Sequence, residues 1–369
     1  MLKYGKQIGG FLLLIITIYN PLYPISAQSL EMKIDSLILT SFSDRGGPGG
    51  VFMVAQNGNV VYQKAFGKAN MELDVDLTPE HVFQLGSMTK QFTAVAVLLL
   101  AEQGKLQVHD PICRYIPDYP SGDKITIHHL LTHTSGIRDF TKMKTLSEIA
   151  QKEMTPKMMV DFFKSEPVDF APGDKFEYNN AGYVLLGYIV ELVSGEIYAD
   201  FIKKHIFEKA GMDQSYYASD KQVIPNRAYG YHKQEQGYVN KTRINFSVPF
   251  SSGALMSTAG DMLKWQYALN QHLLLSIETT DMAFKKYILN NGEVFRYGYG
   301  WHMNEINGIA TREHGGSIFG FKTMGVYIPE EDIYVLGFSN CDCLSPTQIT
   351  RDIAAYTLEL LGHTSNFAR

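Results

Sequence analysis

The chain has 369 residues, 45% of them hydrophobic, 12% aromatic and 19% charged, with 32 Gly and 14 Pro. That length exceeds the roughly 250–300 residues at which a single hydrophobic core usually stops growing, so one large domain or two smaller ones are expected. The composition excludes a disordered, collagen-like or disulfide-scaffold protein, and 33 Lys+Arg against 38 Asp+Glu (net −5) leave no basic stretch that reads as a nucleic-acid footprint.

Residues 1–7 carry Lys3 and Lys6 and no acid, residues 8–19 (IGGFLLLIITIY) are a run of 12 mostly apolar residues, and Ala27 offers a small residue for cleavage. This is the order of a secretory signal, and the run falls short of the roughly 17–25 residues that a spanning helix needs. The expectation is a signal peptide over 1–27, no stable membrane anchor, and a periplasmic or secreted chain over 28–369. No Cys follows the cut, so a lipid anchor is not suggested, and loss of the two lysines takes the net charge to −7.

Residues 51–55 and 60–66 are apolar, β-favouring runs joined by Gln56-Asn57-Gly58-Asn59, and Asn-Gly between such runs is a strong hairpin signal. Residues 87–290 are helix-rich. Strands are then predicted over 297–304, 308–313, 321–328 and 333–339, with turns at 307–308 and 329–332, and a helix over 347–361. The fold class is α/β of the α+β type: one antiparallel sheet assembled from both ends of the chain, flanked by helices, with a helical second lobe. The cleft between the lobes is the default place for a site. No repeat or low-complexity linker divides the chain, which favours one folding unit of two lobes.

Cys113, Cys341 and Cys343 are too few and too odd in number for a paired framework. Cys341 and Cys343 lie two apart, where a bond is usually strained, so idle or buried thiols are expected. His129 and His133 stand at i, i+4, but Leu130 replaces the Glu of a zinc-protease motif, and no metal or organic cofactor is implied.

Three segments carry chemistry. Ser87 and Lys90 lie three apart at the start of a helix predicted over 91–103, apolar on every side from 94 to 101. A lysine desolvated there loses charge, and a neutral amine can take the proton of a neighbouring hydroxyl. Tyr178 and Asn180 lie in a polar loop before a helix predicted over 184–193, and face one way if extended. They offer a phenol for proton relay and an amide to bind a carbonyl or hold Lys90. Glu313-His314-Gly315-Gly316-Ser317 falls between two predicted strands, where paired glycines permit close approach. His314 would set a polar or cationic group over the substrate, and the Ser317 amide could join that of Ser87 as an oxyanion donor.

In order, Ser87-x-x-Lys90, Tyr178-x-Asn180 and His314-x-Gly316 resemble the three active-site motifs of the serine β-lactamase and penicillin-binding fold. The branch resembled is that of class C β-lactamases, DD-peptidases and related esterases. LLTHTSG at 130–136, YNNAGYVLLGYIVE at 178–191 and SGALMSTAGDMLK at 252–264 are similar to further segments of that branch. The resemblance implies a β-lactamase/transpeptidase-like fold with Ser87 as nucleophile, and Lys90 and Tyr178 sharing proton transfer. It implies Asn180, His314, Gly316 and Ser317 as substrate-binding groups. Typical class C enzymes carry Lys-Thr-Gly where this chain has His-Gly-Gly, which ranks a peptidase or esterase above an efficient β-lactamase. The expected partner is a small-molecule or peptide substrate, peptidoglycan-derived ones included. A non-catalytic sensor of peptidoglycan or β-lactam is the alternative.

Overall fold

The computed structural model describes residues 27–363, so the predicted signal segment lies almost wholly outside the described residues. Six antiparallel strands make one sheet: β1 (Gly50–Gln56), β2 (Asn59–Phe66), β3 (His302–Ile306), β4 (Ile309–Ile318), β5 (Phe321–Ile328) and β6 (Ile333–Ser339), in the order β3-β4-β5-β6-β1-β2. The two ends of the chain meet inside it, where β1 runs from Gly50 opposite Ser339 to Gln56 opposite Ile333. Asn57 and Gly58 both take positive φ (51° and 72°), as do Asn307 and Gly308 (51° and 80°). Both pairs form the two-residue turns that match the twist of a hairpin.

Helix α1 (Ala27–Leu39) and the C-terminal helix, residues Thr347–Leu360, cover one face of this sheet. Alternation sorts the side chains. Phe52, Val54, Ile333 and Val335 pack with Ile34, Ile38, Ile353 and Leu358 on that face. Val51, Met53, Leu336 and Phe338 point the other way, into a core shared with the helical middle of the chain. That middle is built around α2 (Thr89–Glu102), whose residues from Thr89 to Leu98 are all buried, and α3 (Asn180–Ser194). Among the described residues, no helix is long and apolar enough to cross a membrane.

Four expectations are corrected. The strand predicted over 297–304 begins only at His302, because Gly300 (φ 91°) packs against the backbone of α2, where an added Cβ would lie 3.1 Å from Gln91 Cα. The strand predicted to end at Glu313 continues to Ile318, since β5 keeps pairing with it past both glycines. The helix predicted from 184 begins at Asn180, so Asn180 is helical rather than extended. Cys341 and Cys343 are joined in a disulfide, the short bend after β6 holding their Cα atoms 5.1 Å apart, within the range a disulfide spans. Cys113 is free.

Candidate active site

Ser87 lies in a single 3₁₀ turn, Gly86–Met88, that runs directly into α2. Gly86 takes φ 53°, and an added Cβ there would stand 2.9 Å from the Ser317 backbone nitrogen. The neighbouring contact is equally tight: a Cβ on Gly316 would meet the Leu85 carbonyl oxygen at 1.9 Å, and Thr323 Oγ1 donates to that same oxygen at 2.8 Å. Glycine at 86 and 316 is what lets β4 run alongside the Ser87 turn. Ser87 and Ser317 consequently line the same cavity.

Lys90, one turn on, is wholly buried, and its Nζ lies 3.1 Å from Ser87 Oγ, 2.8 Å from Asn180 Oδ1 and 2.9 Å from the Ser252 carbonyl oxygen. Burial lowers its pKa from 10.5 to about 7, against a smaller raising influence from Asp139. A neutral amine has two N–H bonds and one lone pair. Asn180 Oδ1 and the Ser252 carbonyl can only accept, so they take the two N–H bonds, and the lone pair is left for the Ser87 hydroxyl.

The sequence expectation did not include the group that orients Asn180. Asp139 Oδ2 accepts from Asn180 Nδ2 at 3.0 Å and from Asn180 N at 3.1 Å, so the amide oxygen turns to Lys90. Asp139 closely follows the LLTHTSG segment, but nothing in its local pattern distinguishes it from a surface acid, although it is only 3% exposed. Ser252 opens another of the quoted segments, and its part here is a backbone carbonyl that no side-chain motif announces. That carbonyl approaches through Gly187 of α3, where a Cβ would lie 2.0 Å from Ser251 Oγ.

Asn179 caps α3 by accepting from Gly182 N at 2.9 Å and donates through Nδ2 to the Ile137 carbonyl. Its own N–H goes to His133 Nδ1 at 3.0 Å. His133 is thus a buried prop for the Tyr178 loop, its ring 4.3 Å from that of Tyr178. Lys90 Nζ sits 4.8 Å from the Tyr178 ring centre. Tyr178 Oη is buried and has no hydrogen-bond partner among the described residues, with Ser87 the polar group beside it. Burial pushes this phenol well above its ordinary range, the Ser87 hydroxyl acting more weakly in the other direction, so Tyr178 is protonated at neutral pH.

His314 departs from expectation. It is 2% exposed, its Nδ1 donates to the Gly315 carbonyl at 2.6 Å, and its Nε2 accepts from Tyr297 Oη at 3.1 Å. Burial, with His302 and Lys90 nearby, holds its pKa far below 6.5. A neutral ring with both nitrogens engaged is not a cationic group over the substrate. A cavity of about 420 Å³ opens in front of Ser87, lined also by Asn180, Ser252, Ser317 and the apolar Phe140, Val248 and Phe319.

This sheet, with a half-buried Ser87 beside a buried Lys90 where it meets α2, defines a serine-hydrolase architecture of the β-lactamase/transpeptidase type. The chain belongs to the β-lactamase family: the family model described as Beta-lactamase matches residues 34–356. Penicillin-binding protein 4* of Bacillus subtilis (strain 168) is 33% identical over 291 residues, 74% of this chain and 64% of its own length. The mitochondrial serine β-lactamase-like protein LACTB of Homo sapiens is 30% identical over 314 residues, 66% of this chain and 57% of its own. This chain therefore spans less than two thirds of either curated relative. The octameric penicillin-binding protein homologue from Pyrococcus abyssi has the same fold, with a TM-score of 0.78 and 31% identity, covering 90% of this chain and 78% of that one.

Proposed function

We propose that this chain is an exported serine hydrolase that cleaves an amide or ester by forming an acyl-enzyme at Ser87. The observation that carries the reading is the buried Lys90 amine, 3.1 Å from Ser87 Oγ and also bonded to Asn180 Oδ1 and the Ser252 carbonyl, with burial lowering its pKa to about 7. Lys90 takes the Ser87 proton as Oγ attacks the carbonyl carbon. The developing oxyanion is held by the amides of Ser87 and Ser317, each such donor being worth about 10²–10³ in rate. The protonated Lys90 returns its proton to the leaving group through the Tyr178 phenol, and water then releases the acyl group by the reverse route. Tyr178 enters as a proton donor, not as a second base, because burial keeps it protonated.

The His-Gly-Gly third motif supports a peptidase or esterase over an efficient β-lactamase, since His314 offers no charge to a substrate carboxylate. Export rests on the residue pattern of 1–27, and 28–369 is proposed to act as one unit because Ser87, Asn180 and Ser317 come from distant parts of the chain. A fluorophosphonate probe tests the reading: the folded wild type is labelled and Ser87→Ala is not. A folded, unlabelled wild type would instead favour the non-catalytic sensor.

A further inference from the structure

Asp342 is the one charged side chain among the residues that line the cavity in front of Ser87. Its Oδ2 lies 2.5 Å from His232 Nδ1 and accepts from Gly320 N at 3.3 Å, while Oδ1 has no partner among the described residues. At first sight His232 neutralises it. The other side of that ring argues otherwise: the Thr242 backbone N–H donates to His232 Nε2 at 2.8 Å. A nitrogen that accepts from an amide carries no proton, so the single ring proton is on Nδ1 and the imidazole is neutral. The contact with Asp342 is a hydrogen bond from a neutral ring, and the carboxylate keeps its full negative charge at the cavity wall.

The carboxylate is also held in place. Asp342 is the residue enclosed by the Cys341–Cys343 disulfide, Cys341 is fully buried and bridges to Tyr231, and Asp342 N donates to the Tyr231 carbonyl at 3.4 Å. A charge fixed in advance beside a partly apolar cavity attracts an opposite charge without being reorganised. Phe140, Ile244, Val248, Ile318 and Phe319 supply no competing cation.

Building on the acyl-transfer reading above, we infer that Asp342 makes this site selective for substrates that carry a positively charged group, such as a free ammonium, near the scissile carbonyl. The same charge disfavours substrates with a carboxylate in that position.

The test uses two fluorophosphonate probes of matched size on the full chain, one bearing a terminal ammonium and the other a hydroxyl in its place. The second-order labelling rate of Ser87 is measured for each, and the ratio from one preparation cancels the fraction of active protein. The wild type is expected to favour the ammonium probe about fivefold, the upper end of what one partly exposed ion pair supplies. The ratio should fall near one in Asp342→Asn, recover in Asp342→Glu and shrink with added salt. Equal labelling by both probes in the wild type overturns the inference and leaves the hydrolase reading standing, as does a preference for the ammonium probe that survives undiminished in Asp342→Asn. Failure of both probes to label folded wild type overturns the hydrolase reading, and this inference with it.

Discussion

Replacing Lys90 by Met removes a buried group whose native pKa is about 7 against an ordinary 10.5. Between those two values the unfolded chain holds a proton that the native chain has released, so native stability rises with pH in this window. The slope approaches about 1.4 kcal/mol per pH unit, and the gain between pH 7 and pH 9 comes to about 2 kcal/mol. Lys90→Met cannot show this gain. The variant also leaves Asn180 Oδ1 and the Ser252 carbonyl without their partner, at about 1–3 kcal/mol each, but that loss is the same at every pH. Urea unfolding of both proteins at pH 7, 8 and 9 isolates the difference, because titrations common to the two cancel. The wild type should gain about 2 kcal/mol on the variant across the series. Parallel pH dependences would refute a discharged Lys90, and with it the assignment of the general base.

Acylation of Ser87 should rise with pH through an inflection near 7, where Lys90 loses its proton, and stopped-time labelling from pH 5 to 9 reads it directly. Asp139→Asn removes a nearby anion that raises the Lys90 pKa, so the inflection moves to lower pH; movement upward contradicts the charge assignment. Tyr178→Phe removes a hydroxyl that has no partner, so stability holds or improves by about 1 kcal/mol while acyl transfer falls about 10²–10⁴-fold. A clearly destabilised Tyr178→Phe would mean that the hydroxyl is bonded after all. Gly316→Ala drives a methyl to 1.9 Å from the Leu85 carbonyl oxygen, so it should cost about 1–3 kcal/mol in urea unfolding and abolish labelling together; a stable, labelled variant refutes the close approach.

The residues 321–328 and 333–339 are readable as strands to the residue, because each is rich in β-favouring residues and turn chemistry stands between them. The strand before them was read too short. Paired glycines lower strand preference locally, but the ladder to β5, with Gly315 opposite Met324 and Gly316 opposite Thr323, outweighs it. The early start of α3 was hidden similarly: Asn-Asn-Ala-Gly reads as a turn until Asn179 is seen to cap the helix and Asp139 to take the Asn180 amide. The residue types at 87, 90, 178 and 180 carried the chemistry in the sequence itself. Their protonation states did not, because desolvation comes from residues distant in the chain. That is why the sequence leaves His314 open as a polar or a cationic group, while the structure gives a neutral, internally bonded ring. The Cys341–Cys343 bond likewise depends on a bend that spacing alone does not reveal.

The pairing of β1 with β6 also bears on how the chain is made. Gln56 emerges from the ribosome 277 residues before its partner Ile333, which at about 5–20 residues per second is a wait of roughly 15–55 seconds. Throughout that interval β1 has one sheet neighbour at most, the Ser317 amide is made only towards its end, and Asp342 follows after it. The nascent chain therefore cannot close its sheet or complete its catalytic pocket before β6 and Asp342 have been made. A chain arrested before β6 should remain protease-sensitive, and a few dozen further residues should bring protection and reactivity together in one step.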